Sequence, residues 1–334
     1  MRRQKHQNSL ANYTQRGRSV KVEEIKTVGI VGAGLMGHGI AQVFGMRGYR
    51  VNLYDKDPGA LNDAPEKIRE NLQLFLELET IKESDLELCL KNITLCHTMA
   101  DLCKGVDVVI EAVSEKLEVK QLVFADLERD TSRQTLFCTN TSGIRIAKIS
   151  EGLQNKDRVV GTHFWNPPHA VPCVEVIKSE HTSDEAFQTA MDLMKRVGKE
   201  PVRVLKDIPG FLGNRLQLAL FREALSLFQQ GIASAEDIDR VVKYSFGSRF
   251  PFIGAFETMD LAGHDLGHEV QKYLFPELCS DLKPLDVLKR MVDNGLLGVK
   301  TGKGFYEWTD KKIKDTVHRR DLGLLTLAKL RDLK

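Results

Sequence analysis

Two side chains near the middle of the chain have the types and the setting for proton transfer. His163 stands in GTHFWNPPH just past an apolar run that opens at Arg158, and Glu175 lies within VPCVEVI between Val174 and Val176. A carboxylate inside an apolar strand is costly unless a partner holds it, and an imidazole is the partner with suitable chemistry. A glutamate bonded to one ring nitrogen sets the tautomer and raises the basicity of the other, which makes a general base that works near neutral pH. The same residues also admit a plainer reading: a histidine in a loop beside the rigid turn Asn166, Pro167, Pro168, and a glutamate on an exposed strand face.

A second constellation binds rather than reacts. TVGIVGAGLMGHGIAQVFGMRGYRVNLYD, from Thr27 to Asp55, reads as strand, glycine turn, helix, strand. Gly32, Gly34 and Gly37 have the spacing G-x-G-x-x-G, with Leu35 and Met36 completing the turn. Gly32 permits the sharp exit from the strand, Gly34 lets a pyrophosphate approach the backbone, and Gly37 lets the helix lie close to the sheet. The helix N-terminus then points its unpaired N–H groups at the pyrophosphate. Asp55 ends the second strand, where a carboxylate can bond both ribose hydroxyls and repel a 2′-phosphate, so the expected dinucleotide is NAD rather than NADP.

The elements that must hold these residues follow from the apolar patterning. An acidic helical hairpin, about 58–75 and 84–90, comes after Asp55; strands at 93–95 and 106–110 lead to Glu111. Residues at the carboxyl ends of parallel strands face the ligand crevice, which makes Glu111 a candidate ligand contact as well as an ordinary surface carboxylate near Lys116 or Lys120. A helix from about Leu117 and a strand at 135–139 run into Asn140, Thr141, Ser142 and Gly143, a polar cluster suited to capping a helix or to offering a hydroxyl to a substrate. The last strand, 202–204, precedes the linker around Pro209 and Gly210, and only helical patterns follow, the first carrying Asn214. The expected fold is α/β, a Rossmann-type doubly wound parallel sheet domain over 26–207, followed by a smaller all-α domain over 208–306. Residues 1–25 are expected to be a disordered basic lead-in and 307–334 a helical tail.

Bulk composition narrows the function classes. The 334 residues are 42% hydrophobic and 28% charged, with a formal net charge of +2. This balance speaks against nucleic acid as the main partner, and no apolar run approaches membrane-spanning length. Six cysteines without a C-x-x-C pair read as buried thiols of a reducing, cytoplasmic compartment. The first 22 residues hold Arg2, Arg3, Lys5, Arg16, Arg18 and Lys21 and no acid, which leaves a mitochondrial address open. His264 and His268 have the spacing of a helical metal pair but no third ligand, so no metal site is expected.

At this point VGIVGAGLMGHGIAQVF, VDVVIEAVSEKLEVK, TNTSGIRIAKI, GTHFWNPPHAVPCVEVI, KDIPGFLGNRL, FETMDLAG and GVKTGKGFYEW, in this order, are together highly specific. From about Lys26 to Tyr306 the chain resembles the L-3-hydroxyacyl-CoA dehydrogenase family. The resemblance implies a homodimeric NAD-dependent oxidoreductase of fatty acid metabolism, which oxidises the secondary hydroxyl of an (S)-3-hydroxyacyl-CoA of the 3-hydroxybutyryl type. It implies that His163 takes the hydroxyl proton and Glu175 orients it, that Ser142 bonds near the reacting oxygen, and that Asn214 reaches from the helical domain to substrate. Asn166 would hold the nicotinamide end, and Glu111 would lie near the nicotinamide ribose. The acidic hairpin departs from the family, since it offers little to CoA phosphates. With NPPH, SRFPFIGAFETMDLAG and the basic tail, it looks more like relatives that oxidise free hydroxy acids or hydroxymethyl groups, such as the L-gulonate, carnitine and pyridine-alcohol dehydrogenases. A third reading, of another class, is a non-catalytic NAD-binding protein like a lens crystallin.

Overall fold

The computed structural model describes residues 20–331. The basic lead-in up to residue 19 lies outside the described residues. The chain divides into two compact units: residues up to Asn214 together with those from Leu324, and Arg215–Gly323.

The first unit is built on an eight-stranded sheet, β1 (Thr27–Val31), β2 (Arg50–Tyr54), β3 (Ile93–Cys96), β4 (Val108–Glu111), β5 (Leu136–Thr139), β6 (Val159–Phe164), β7 (Cys173–Ile177) and β8 (Glu200–Val204). Spatial order is β3-β2-β1-β4-β5-β6-β7-β8. The chain moves outward from β1 to β2 and β3, then returns to place β4 on the other side, so a ligand crevice is expected between the carboxyl ends of β1 and β4. Strands β1, β4 and β5 are buried along their whole length, as apolar strands of a parallel sheet covered on both faces must be.

Helices α1 (Gly37–Gly45), α2 (Pro58–Glu77), α3 (Glu83–Lys91), α4 (Met99–Cys103), α5 (Leu117–Asp130), α6 (Ile146–Ile149) and α7 (Asp184–Arg196) cover the sheet. The first of them starts where the glycine turn allows. Gly32 has φ +104°, and a Cβ there would lie 2.6 Å from the Ala112 carbonyl oxygen; a Cβ at Gly37 would lie 1.7 Å from the oxygen of Gly32. Nothing lies within 4 Å of where a Cβ of Gly34 would point, so that backbone is open to a ligand. Asp57, Thr98 and Ser183 cap α2, α4 and α7 with side-chain bonds to backbone N–H groups. Neither α4 nor α7 is anticipated by the sequence reading.

The sheet departs from the expected all-parallel form at one junction. β6 and β7 pair antiparallel, with Thr162 opposite Val176 and His163 opposite Glu175. His163 is therefore a residue of β6 and not of the loop beyond it.

The second unit contains most of α8 (Gly213–Gln229), then α9 (Ala235–Tyr244), α10 (Ala255–Ala262), α11 (His264–Leu274), α12 (Asp286–Asp293) and the start of α13 (Asp310–Arg331). The GVKTGKGFYEW stretch forms a bridged turn, Gly298 with Lys303 and Lys303 with Glu307. It is fastened to its own unit by the Phe228–Phe305 ring pair and by the Tyr306 hydroxyl donating to Asp239 at 2.9 Å. The end of α13 belongs to the first unit: Leu325 is buried, and Lys329 donates to the Leu78 carbonyl. No helix among the described residues is long and apolar enough to cross a membrane.

Candidate active site

The antiparallel junction brings His163 and Glu175 into direct contact. His163 Nδ1 lies 2.8 Å from Glu175 Oε2, and both residues are buried, at 4% and 2% exposure. The other oxygen, Oε1, accepts from the backbone N–H groups of Leu212 at 2.8 Å and Gly213 at 3.0 Å. Burial alone would push the Glu175 carboxyl up, but the bonds from His163 and from the Gly213 and Leu212 amides outweigh it and hold the carboxyl below its ordinary range. The carboxylate is thus kept ionised against the imidazole. With Nδ1 engaged, Nε2 is the nitrogen left for a substrate proton.

Aromatic rings set the imidazole plane. Trp165 and Phe211 stand with ring centroids 5.1 and 5.9 Å from His163. Phe211 is fully buried at φ +48°, in the left-handed region that a bulky residue adopts only under constraint from its surroundings. That backbone turn aims the next two N–H groups at Glu175. One strand further in, Asn140 Oδ1 accepts from the Phe164 N–H at 2.8 Å and fixes the end of β6.

Ser142 sits at the edge of a second network. Its N–H donates to Glu115 Oε1 at 2.8 Å, its carbonyl accepts from Asn214 Nδ2 at 2.6 Å, and its residue is exposed. Asn214 belongs to the first unit, and its amide meets the Ser142 backbone. Asn214 is the second residue of α8.

Glu111 is not the ordinary surface carboxylate of the plainer reading. It is wholly enclosed, and its oxygens take the Val113 N–H, the Lys120 ammonium at 2.8 Å and the Thr139 hydroxyl at 2.7 Å. A carboxylate with its acceptors so engaged supports the loop after β4. The carboxylate that reaches the surface there is Glu115, which takes the Thr141 hydroxyl at 2.5 Å and pairs with Lys120 at 3.1 Å. Burial alone would push the Glu115 carboxyl up, but the bonds from Thr141, Lys120 and Ser142 together outweigh it and hold the carboxyl below its usual range. The sequence reading misses Glu115 and Lys120 as site residues. A signal exists, because Lys120 falls in the buried stripe of α5 with Phe124 and Leu127, at i, i+4 and i+7.

Asp55 stands at the end of β2 as expected. Its Oδ2 accepts from the Ala33 N–H at 2.7 Å and its Oδ1 from the Asp57 N–H at 2.9 Å, so it also pins the glycine turn. Asn166 is exposed, at the head of the loop that follows β6. His264 and His268 meet Asp260 and Glu269, and no group of three metal-ligating side chains occurs among the described residues.

Fold and site together define a class: a dinucleotide-binding α/β domain with a buried His–Glu pair toward the carboxyl end of its sheet, joined to a helical domain. Comparison with known proteins gives the family. Residues 27–208 match "3-hydroxyacyl-CoA dehydrogenase, NAD binding domain" and residues 210–308 match its C-terminal domain. The chain belongs to the 3-hydroxyacyl-CoA dehydrogenase family and is an NAD-dependent oxidoreductase. It is 34% identical over 311 residues to human mitochondrial hydroxyacyl-coenzyme A dehydrogenase, covering 90% of this chain and 96% of that one. Among solved structures it resembles 5-formyl-3-hydroxy-2-methylpyridine 4-carboxylic acid 5-dehydrogenase, an NAD+-dependent dismutase, with TM-score 0.86 at 29% identity, covering 92% of this chain and 98% of that one. It also resembles (S)-3-hydroxybutyryl-CoA dehydrogenase from Ralstonia eutropha, with TM-score 0.71 at 33% identity, covering 86% and 100%.

Proposed function

We propose that the chain oxidises the secondary hydroxyl of an (S)-3-hydroxyacyl-CoA of the 3-hydroxybutyryl type to the 3-oxoacyl-CoA, with His163 as general base. The buried His163–Glu175 contact of 2.8 Å carries this reading. His163 Nε2 takes the hydroxyl proton as the carbon–oxygen double bond forms. Glu175, held ionised, keeps Nδ1 protonated and stabilises the imidazolium. The open backbone at Gly34 and the carboxylate of Asp55 fit a dinucleotide, Gly32, Gly37 and the α1 N-terminus shaping the pyrophosphate seat and Asn166 meeting the nicotinamide end. Bound NAD supplies the acceptor for the hydride that leaves the carbinol carbon. In this reading Ser142 offers its hydroxyl to the reacting oxygen, a role supported by Glu115 and Asn214, which hold that serine's backbone N–H and carbonyl.

A second substrate class is favoured by a specific feature. The α2–α3 hairpin carries eight acids between Gly59 and Leu90, and two of its three bases, Lys67 and Arg69, are already paired with Asp63 and Glu87. Such a surface offers the phosphates of CoA little, and the similarity to the pyridine-carboxylate dehydrogenase points the same way. The deciding experiment is a matched pair of steady-state assays with NAD. One uses (S)-3-hydroxybutyryl-CoA and the other a panel of free hydroxy acids and hydroxymethyl compounds that includes L-gulonate, carnitine and pyridine alcohols. A high kcat/KM on the thioester is expected; turnover confined to the panel would transfer the assignment to the second class. No turnover of either would leave a non-catalytic NAD-binding protein.

A further inference from the structure

Lys199 is a buried ammonium that the proposed chemistry does not use. It directly precedes β8, is 7% exposed, and among the described residues has no carboxylate as a hydrogen-bond partner. Its Nζ donates instead to two backbone carbonyls, Pro168 at 2.5 Å and Val171 at 2.9 Å. A charge buried against neutral acceptors alone is expensive. Burial, reinforced by Arg47 and opposed by Cys173, brings its titration down from the ordinary lysine range to about 8. The feature calls for a reason beyond stability.

The loop it holds supplies one. Residues 167–171 form a turn closed from within by the Pro167 carbonyl, which accepts from the Ala170 and Val171 N–H groups at 3.1 and 2.9 Å. This leaves the Pro168 and Val171 carbonyls to converge on Lys199. The turn is seated on the dinucleotide-binding helix: a Cβ at Gly39 of α1 would lie 2.7 Å from the Pro168 ring, so that ring packs against the helix this closely only because Gly39 has no side chain. On the far side His169 faces Phe75 of α2. Asn166 is the residue immediately before this turn, and its position is set by the turn's.

We propose that Lys199 is a positioning residue for the oxidation, drawing the Pro168 and Val171 carbonyls onto one point, seating the 167–171 turn against α1, and so fixing Asn166 at the nicotinamide end of the cofactor. The inference rests on the reading of Asn166 as a nicotinamide contact. A flexible four-carbon stem ending in a compact group with three N–H donors suits this task, whereas the rigid fork of arginine is shaped for carboxylates.

The test is a double-mutant cycle on the full-length protein, with Lys199→Met, Asn166→Ala and the double variant. It is read as kcat at saturating NAD and substrate, and as the enhancement and Kd of NADH fluorescence. Lys199→Met is expected to lower kcat about 10- to 100-fold, the scale at which small displacements of a positioned group act. The NADH Kd should change by less than about 3-fold, because the pyrophosphate and ribose contacts lie elsewhere. The double variant should be no slower than Asn166→Ala alone. Lys199→Gln, which retains part of the donor capacity, should fall between and carries the comparison if the methionine variant does not fold. A folded Lys199→Met with wild-type kcat, or losses that multiply in the double variant, would overturn the proposal. If the wild-type chain oxidised no substrate, the functional reading would fall on its own; NADH fluorescence would still decide Lys199, since loss of the enhancement in both single variants supports the link and retention in Lys199→Met refutes it.

Discussion

At the scale of residues the site is a base whose tautomer is dictated by its neighbour. Replacing the imidazole removes the proton acceptor but leaves the dinucleotide turn intact, so His163→Ala should lower kcat about 10²- to 10⁴-fold with little effect on NADH affinity. Near-normal turnover in that variant would remove His163 as the base. Glu175 has a pH signature of its own. Its carboxyl is held below the ordinary value of 4.5 by His163 and the Gly213 and Leu212 amides. A depressed carboxylate contributes stability that is present above its unfolded pKa and is lost as pH falls through the folded one. The Tm advantage of wild type over Glu175→Gln should therefore be largest near neutral pH and shrink below about pH 4.5. An advantage that grew on acidification would contradict the ionised pair. Both residues were legible as chemistry in the sequence, because a glutamate flanked by valines demands a partner; the two amides that complete its coordination were not, since they come from a turn 37 positions further along.

At the scale of elements the carboxyl ends of β4 and β5 are joined by charge rather than by apolar packing. Lys120 of α5 lies between Glu111 and Glu115, which in turn hold Thr139, Thr141 and Ser142. Removing one member of a buried pair leaves the other uncompensated, so Lys120→Met should cost about 3–5 kcal/mol in chemical denaturation. A loss under about 1 kcal/mol would show that water replaces the ammonium and that the network is ordinary surface charge. The element reading from sequence located most strands, because apolar runs between turn signals are strong local cues. It missed α4, which is five residues long, and α7, and its plainer reading of Glu111 as a surface carboxylate did not foresee that residue's burial. A strand end marks a residue as near the crevice, but whether its side chain opens outward depends on what the following helix packs against it.

At the scale of the molecule the helical unit has too little apolar burial for its composition. Tyr244, Phe256 and Leu261 are each at least 80% exposed, and Leu216, Phe252 and Tyr273 are exposed as well. Apolar exposure on this scale marks an association surface, and we propose that it is the face of a homodimer. Sedimentation should give a dimer of a 37.6 kDa chain, and Phe256→Glu with Leu261→Glu should shift it toward monomer while leaving the first unit folded. A monomeric wild type at micromolar concentration would refute this. What the sequence determined by itself was the class: the glycine turn, Asp55 and the apolar strand pattern are short-range features whose physics is complete within thirty residues, so the NAD-binding fold and its cofactor could be read directly. What only the tertiary structure decided was contact between distant segments. The antiparallel pairing of β6 with β7 set His163 opposite Glu175, the left-handed turn at Phe211 delivered two amides to that carboxylate, and Lys120 was buried between Glu111 and Glu115. Each depends on which strands become neighbours and which face is covered, and those are settled by packing of the whole chain rather than by any local pattern.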